Sequence, residues 1–454
     1  MPDQDAVLDD YQQRIEKLVW QLQRQTDVPL WAVAHSGAIK AVALNQPLLH
    51  GPRGRLVRRI FGITGKGIAS LLALWIIGFA VVVRWWFWAV VSKRVSVEAV
   101  FVGIGAGSED QLFRRFKAEL AGRLIRVSHY EPRTFGRVSR PTLGSLLKRL
   151  WAECRKVYAG LRLSDQPALA GSFSMWMTVS AMRVGTYTFV RAWAEQLPAE
   201  VKRVVFIAAD IQCLAAVDGR RRGQHYTIEY WQHGLHLRSL LIPPVDRIVA
   251  LNSLEGRHMH RLSGSPFELL YRNEFPVGDR RTATLLFASI YSFSGFDKEQ
   301  QISLVRELFS WAETNGLSVV IRPHPREDQS FWSEYFPALQ VDRNMDSFSD
   351  CVERWRPSLV VSWFSTALLD ALRLGVAPVL LTEGSAPFLS DMVFPLDRIA
   401  LKWPEERETM ETIIRNQADY RHWVSARWEE VFAPDGKQGV TDNRDPVALE
   451  GLTR

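Results

Sequence analysis

Short apolar runs with strand character alternate along this chain with longer stretches whose apolar positions recur every three or four residues. "VEAVFVGIGAGSEDQLFRRF" reads as strand, glycine turn and helix, and "RLIRVSH" follows as a second strand. From Pro141 to Leu197 helical periodicity dominates, as in "LGSLLKRLWAECRKVYAGL". "RVVFIAAD", "YTIEYWQHG" and "DRIVALN" are apolar strands, with a helix-like "IQCLAAVDGRRRG" between the first two. The polar "RNEFPVGDRRT" (Arg272–Thr282) carries Pro and Gly and reads as an interdomain linker. The rhythm then restarts with "TLLFASI" as a strand. The helix "DKEQQISLVRELFSWAETNG" follows, with Ile302, Val305, Leu308 and Ala312 on one face and Gly316 as its stop. "SVVIRPHP", "SLVVSW" and "APVLLTE" are further strands, separated by the helices "SFSDCVERW" and "STALLDALRLG". Such alternation implies mostly parallel sheets. The expected architecture is α/β: two halves facing a cleft.

Upstream of this region, Leu8, Tyr11, Ile15, Leu18 and Leu22 step by three and four, predicting an amphipathic helix. "GIASLLALWIIGFAVVV" (Gly67–Val83) is uncharged and is followed by Arg84 and "WWFWAVV". Its seventeen residues sit at the short end of a membrane span. A single span and an in-plane membrane helix both fit, and a fully buried helix of a large soluble domain is the alternative. The expected division is residues 1–64 (helical and basic), 65–95 (membrane-associated and apolar), 96–275 and 276–433 (two Rossmann-like domains) and 434–454 (a polar tail).

Charge sharpens the membrane reading. The chain has 454 residues and a formal charge of +7, yet from Val28 to Val97 there is no Asp or Glu and there are nine Lys or Arg. The remainder is near neutral, at 47 basic against 49 acidic residues. An acid-free basic collar around an apolar stretch suits anionic lipid rather than a groove-reading nucleic-acid motif. Membrane lipids are thus an expected partner and nucleic acid is not. The N-terminus is too acidic and polar for a signal peptide. Three cysteines with no C-x-x-C pair suit a reducing compartment, so the cytoplasmic face of the inner membrane is the expected location.

Three polar clusters fall at the carboxyl ends of expected strands, where open parallel sheets bind ligands. In "SVVIRPHPRED", His324 is held between two prolines that stiffen the backbone, with Arg322 and Arg326 as charge partners for an anion. In "VVSWFSTALLDALRLG", Ser362, Ser365 and Thr366 precede a helix, whose free N–H groups make a ready anion site; ordinary capping by Ser365 is the simpler alternative. In "YWQHGLHL", Gln232, His233, Gly234 and His236 form the third.

Taken in order, Q-H-G, R-P-H-P and S-x-x-S-T resemble the bacterial GT-B glycosyltransferases of capsular and surface polysaccharide synthesis. They are similar to CMP-sialic acid and CMP-Kdo transferases over roughly Val204–Glu383. The resemblance implies that His324 contacts the donor's nucleotide phosphate and that Ser365 and Thr366, with Ser362, hold it at the helix start. It places Glu383 at the donor ribose. It further implies a nucleotide-sugar donor and a polysaccharide or lipid-linked acceptor. An inverting mechanism needs a carboxylate base. Such sialyltransferases carry an acidic pair followed by glycine; here Glu109 and Asp110 in "GAGSEDQ" have glycine before them, and Asp210 is an alternative. The only D-x-D is Asp3–Asp5 at the extreme terminus, so metal-independent chemistry with no cofactor is expected. The competing readings are a CDP-glycerol-type glycerophosphotransferase and a non-catalytic polysaccharide-assembly protein; a nucleotide-sugar epimerase would need no membrane collar.

Overall fold

The structure, a computed structural model, describes residues 52–432 apart from 65–66, 105–108, 121, 129–130, 164–172, 209–210, 221–225, 236–241, 271–281, 290–297, 325–326, 329, 345, 364 and 384–391. The N-terminal amphipathic helix, the polar tail and most of the expected linker lie outside the described residues.

Two six-stranded parallel sheets organise the chain. The first contains β1 (Ala99–Gly103), β2 (Leu124–Ser128), β3 (Arg203–Phe206), β4 (Thr227–Trp231), β5 (Arg247–Ala250) and β6 (Phe267–Leu269), in the order β2-β1-β3-β4-β5-β6. The second contains β7 (Thr282–Ala288), β8 (Ser318–Arg322), β9 (Gln340–Val341), β10 (Pro357–Ser362), β11 (Ala377–Leu381) and β12 (Leu401–Trp403), in the order β12-β11-β10-β7-β8-β9. The protein is therefore α/β, with two Rossmann-type sheets in a GT-B-like arrangement. In each sheet the strand order reverses once, between β1 and β3 and between β7 and β10. A reversal leaves a crevice at the carboxyl ends of the strands, because the connecting helices depart to opposite faces.

Side-chain alternation in the first sheet serves two cores. Phe101, Val205, Trp231 and Val249 project to one face and join the apolar cluster that continues into the second sheet. Val100, Val102, Val204, Phe206, Ile228 and Ile248 project to the other and pack with helical side chains, Leu74, Leu150 and Trp193 among them. Burial on both faces explains why the central strands read as near-continuous apolar runs. β6, β9 and β12 were not expected. They are edge strands of two or three residues, too short to show a period of two.

The apolar stretch forms one helix, Ile68–Val90, long and apolar enough to cross a bilayer. Its Leu71, Leu74, Gly78, Val82, Trp85 and Ala89 side is buried in the core of the first domain. It meets the helix Phe173–Glu195 at very close range: a Cβ on Gly185 would sit 2.7 Å from the carbonyl oxygen of Gly78. Only glycine admits that backbone approach. The opposite side is solvent-exposed. The stretch is thus neither wholly buried nor free of the domain.

Candidate functional site

The crevice of the second sheet is built by chain breaks that the sequence dictates. β8 ends at Arg322 because Pro323 has no N–H to continue the ladder. His324 is then set in a tight turn closed from both ends: its N–H donates to a Glu327 carboxylate oxygen (3.1 Å), and Glu327 N–H donates to its carbonyl (2.8 Å). After β10, Ser365 adopts extended geometry and caps the helix Thr366–Arg373, its hydroxyl accepting from Ala367 N–H at 3.2 Å. The capping expectation therefore holds for Ser365. Thr366 remains, with its hydroxyl facing the first domain and accepting from Leu235 N–H at 3.4 Å.

One pocket between the two domains is lined by His233 and Gly234 from the turn after β4, Ser289 after β7, Arg322 at the end of β8 with Pro323 and His324 beyond it, and Ser365, Thr366 and Asp370 from the helix after β10. The imidazole, the hydroxyls and the H-G turn thus share one cavity. The helix start adds a partial positive charge of about half a unit. A phosphate-sized anion is the ligand this chemistry suits.

Several predicted residues are committed elsewhere. Gln232 is fully buried; its amide donates to Gly234 O (2.9 Å) and Glu255 (2.7 Å) and accepts from Leu251 N–H (2.8 Å). It positions the H-G turn, and its amide is already in use within the protein. Ser362 is also fully buried and donates to Ala288 O at 2.6 Å, tying β10 to β7 across the reversal. Arg322 lines the pocket, yet its guanidinium is held by Asp346, at 3.1 Å to the carboxylate and 2.6 Å to the carbonyl. Glu383 is exposed and accepts from Gln300. It does not line the pocket. Arg326, His236 and Asp210 lie outside the described residues.

The expected base pair, Glu109 and Asp110, is engaged with Arg126 at the end of β1. The Glu109 side chain has no solvent exposure. It accepts from Ile104 N–H and pairs with Arg126 at 2.9 Å. Its carboxylate occupies the space a side chain on Gly103 would fill, at the carboxyl end of β1. Asp110 binds the same guanidinium. Burial works against the Arg126 charge, but its hydrogen bonds to Asp110 and Glu109 hold its pKa above the ordinary value. Neither carboxylate reaches the pocket.

Two functional candidates were missed. Asp370, one turn after Thr366, lines this pocket and the adjoining one that contains Gln232 and His233. Burial pushes its pKa up, only partly offset by Arg373 at 3.4 Å. In "STALLDALRLG" its four-residue offset from Thr366 was the available signal. Glu327, three residues after His324, is the other; it positions the turn and is itself buried.

No family model and no curated protein matches this sequence. Among solved structures, similarity extends to the wall teichoic acid polymerase TagF (9% identity, 73% of this chain and 83% of that one, TM-score 0.38). It extends also to the UDP-GlcNAc 2-epimerase of Methanocaldococcus jannaschii in complex with UDP-GlcNAc and UDP (10%, 72% and 98%, 0.40). A third is the spinosyn forosaminyltransferase SpnP (11%, 74% and 95%, 0.36). At such TM-scores these likenesses have no bearing on chemistry.

Proposed function

We propose that this protein is a glycosyltransferase that moves a sugar from a nucleotide-activated donor to a surface-polysaccharide or lipid-linked acceptor, without a metal, at the cytoplasmic face of the inner membrane. A CMP-linked acidic sugar is the donor that the motif resemblance favours. The observation that carries the reading is the shared pocket, in which His324 and the Ser365–Thr366 helix start of one domain face the His233–Gly234 turn of the other.

As the bond between the anomeric carbon and the donor phosphate breaks, negative charge grows on the leaving phosphate. His324 and the helix start stabilise that charge in a partly desolvated cleft. A new bond forms from the acceptor hydroxyl, whose proton needs a carboxylate. Asp370 takes that role in place of Glu109 and Asp110: it lines the pocket, and burial raises its proton affinity.

The test is a donor panel with the purified full chain and its His324→Ala variant. Turnover of a sugar nucleotide is expected, falling about 10²–10³-fold in the variant, the usual cost of losing one donor to a developing anion. Full activity in the variant overturns the reading. Turnover of CDP-glycerol alone changes it to glycerophosphate transfer, and no nucleotide turnover at all favours an assembly protein.

A further inference from the structure

The helix Ile68–Val90 has two unlike sides. One is built into the first domain. On the other, Ile68, Leu72, Ile76 and Ala80 step by four, and Phe87 and Val91 continue the same stripe. Ile68 is 74% exposed, Ile76 59% and Phe87 52%, and the neighbouring helix Pro52–Thr64 adds Ile63 at 80%. Arg84 is the one charge on the stripe. A continuous apolar face about 35 Å long is not what a water-facing helix presents.

The surrounding charge says what covers it. Arg55 and Arg59 on the neighbouring helix, Arg84 on the stripe, and Lys93 and Arg94 just past its end are all exposed, and no acidic residue lies between Val28 and Val97. Arg133 stacks on Trp88 at 3.7 Å, adding a cation beside an aromatic ring at the far end. A second copy of this face would oppose like charges; an anionic lipid surface would neutralise them. Aromatic and long basic side chains at an apolar border are the features of headgroup depth.

We infer that this face docks in the plane of an anionic bilayer, so that the protein lies on one leaflet and no helix of the described residues crosses it. A span would require the Gly78–Gly185 contact and the core residues Leu71, Leu74 and Val82 to be torn from the domain. The inference deepens the membrane placement proposed above and is independent of the cleft's chemistry.

The experiment mixes the full chain with sealed vesicles of phosphatidylcholine, with and without phosphatidylglycerol. Binding is expected only with the anionic lipid. The exposed-face variant Leu72→Glu/Ile76→Glu should lower it by roughly tenfold or more while melting temperature and donor turnover stay unchanged. Probes on Ile68→Cys, Ile76→Cys and Phe87→Cys should report one shallow depth. Depth greatest at position 76 would show a span and overturn the in-plane geometry. Absence of vesicle binding, or a concentration-dependent dimer abolished by the same variant, would overturn lipid docking; donor turnover measured without vesicles keeps that failure separate from any failure of the transferase reading.

Discussion

At the carboxyl end of β1 the Glu109 carboxylate lies against Gly103 and is neutralised by Arg126, whereas at the carboxyl ends of β8 and β10 His324 and Thr366 open into a pocket. Both sheets reverse their strand order, and both place polar residues where a reversal offers a crevice. The first sheet closes its crevice edge with an internal ion pair, and the second keeps its polar atoms toward the cleft. The two crevices differ in where their polar side chains end up: the Glu109 carboxylate is shut away from solvent, while His324 and Thr366 line the cavity. The anion-binding role proposed above therefore falls to the second domain, with the H-G turn of the first as the facing wall.

The comparison can be strained experimentally from both sides. Asp370→Asn should lower turnover about 10²-fold or more, as expected for a lost general base. It should also carry a stability signature of opposite sign. Because the folded-state pKa of Asp370 is raised, its favourable contribution is complete below the unfolded-state pKa and is lost as pH rises through the folded-state value. Wild type and variant should therefore melt together in acid, and the variant should be the more stable at neutral pH. A variant that is inactive and less stable at neutral pH would make Asp370 a structural residue. On the other wall, Arg126→Ala strands the buried Glu109 carboxylate, and a loss of about 3 kcal/mol in denaturant unfolding is expected. Nucleotide affinity of the molecules that remain folded should be unchanged; a loss of affinity would return the first crevice to the site.

The sheets and the ordered motifs were legible because their signals are local. Apolar runs ending at Pro323, at Gly234 or before Ser365 mark strand ends within a few residues. The commitment of a polar side chain is not local. Gln232 is satisfied by Leu251 N–H, 19 residues away, and by Glu255, and Ser362 by Ala288 O, 74 residues away. No spacing rule within a motif anticipates such partners. The pairing of Glu109 and Asp110 was hidden for the same reason, since Arg126 belongs to the next strand. Asp370 escaped notice because it reads as one polar position on an otherwise ordinary amphipathic helix.

The central claim, that the imidazole of His324 and the helix start at Thr366 together receive a nucleotide's phosphate, is tested most directly by thermal unfolding with and without cytidine and uridine mono- and diphosphates. Binding to the folded state alone raises stability by about 2.7 kcal/mol at a hundredfold excess over Kd. The account predicts that at least one nucleotide raises the melting temperature of the wild-type chain, and that His324→Ala, folded to the same extent, loses that rise. An equal rise in the variant would contradict it.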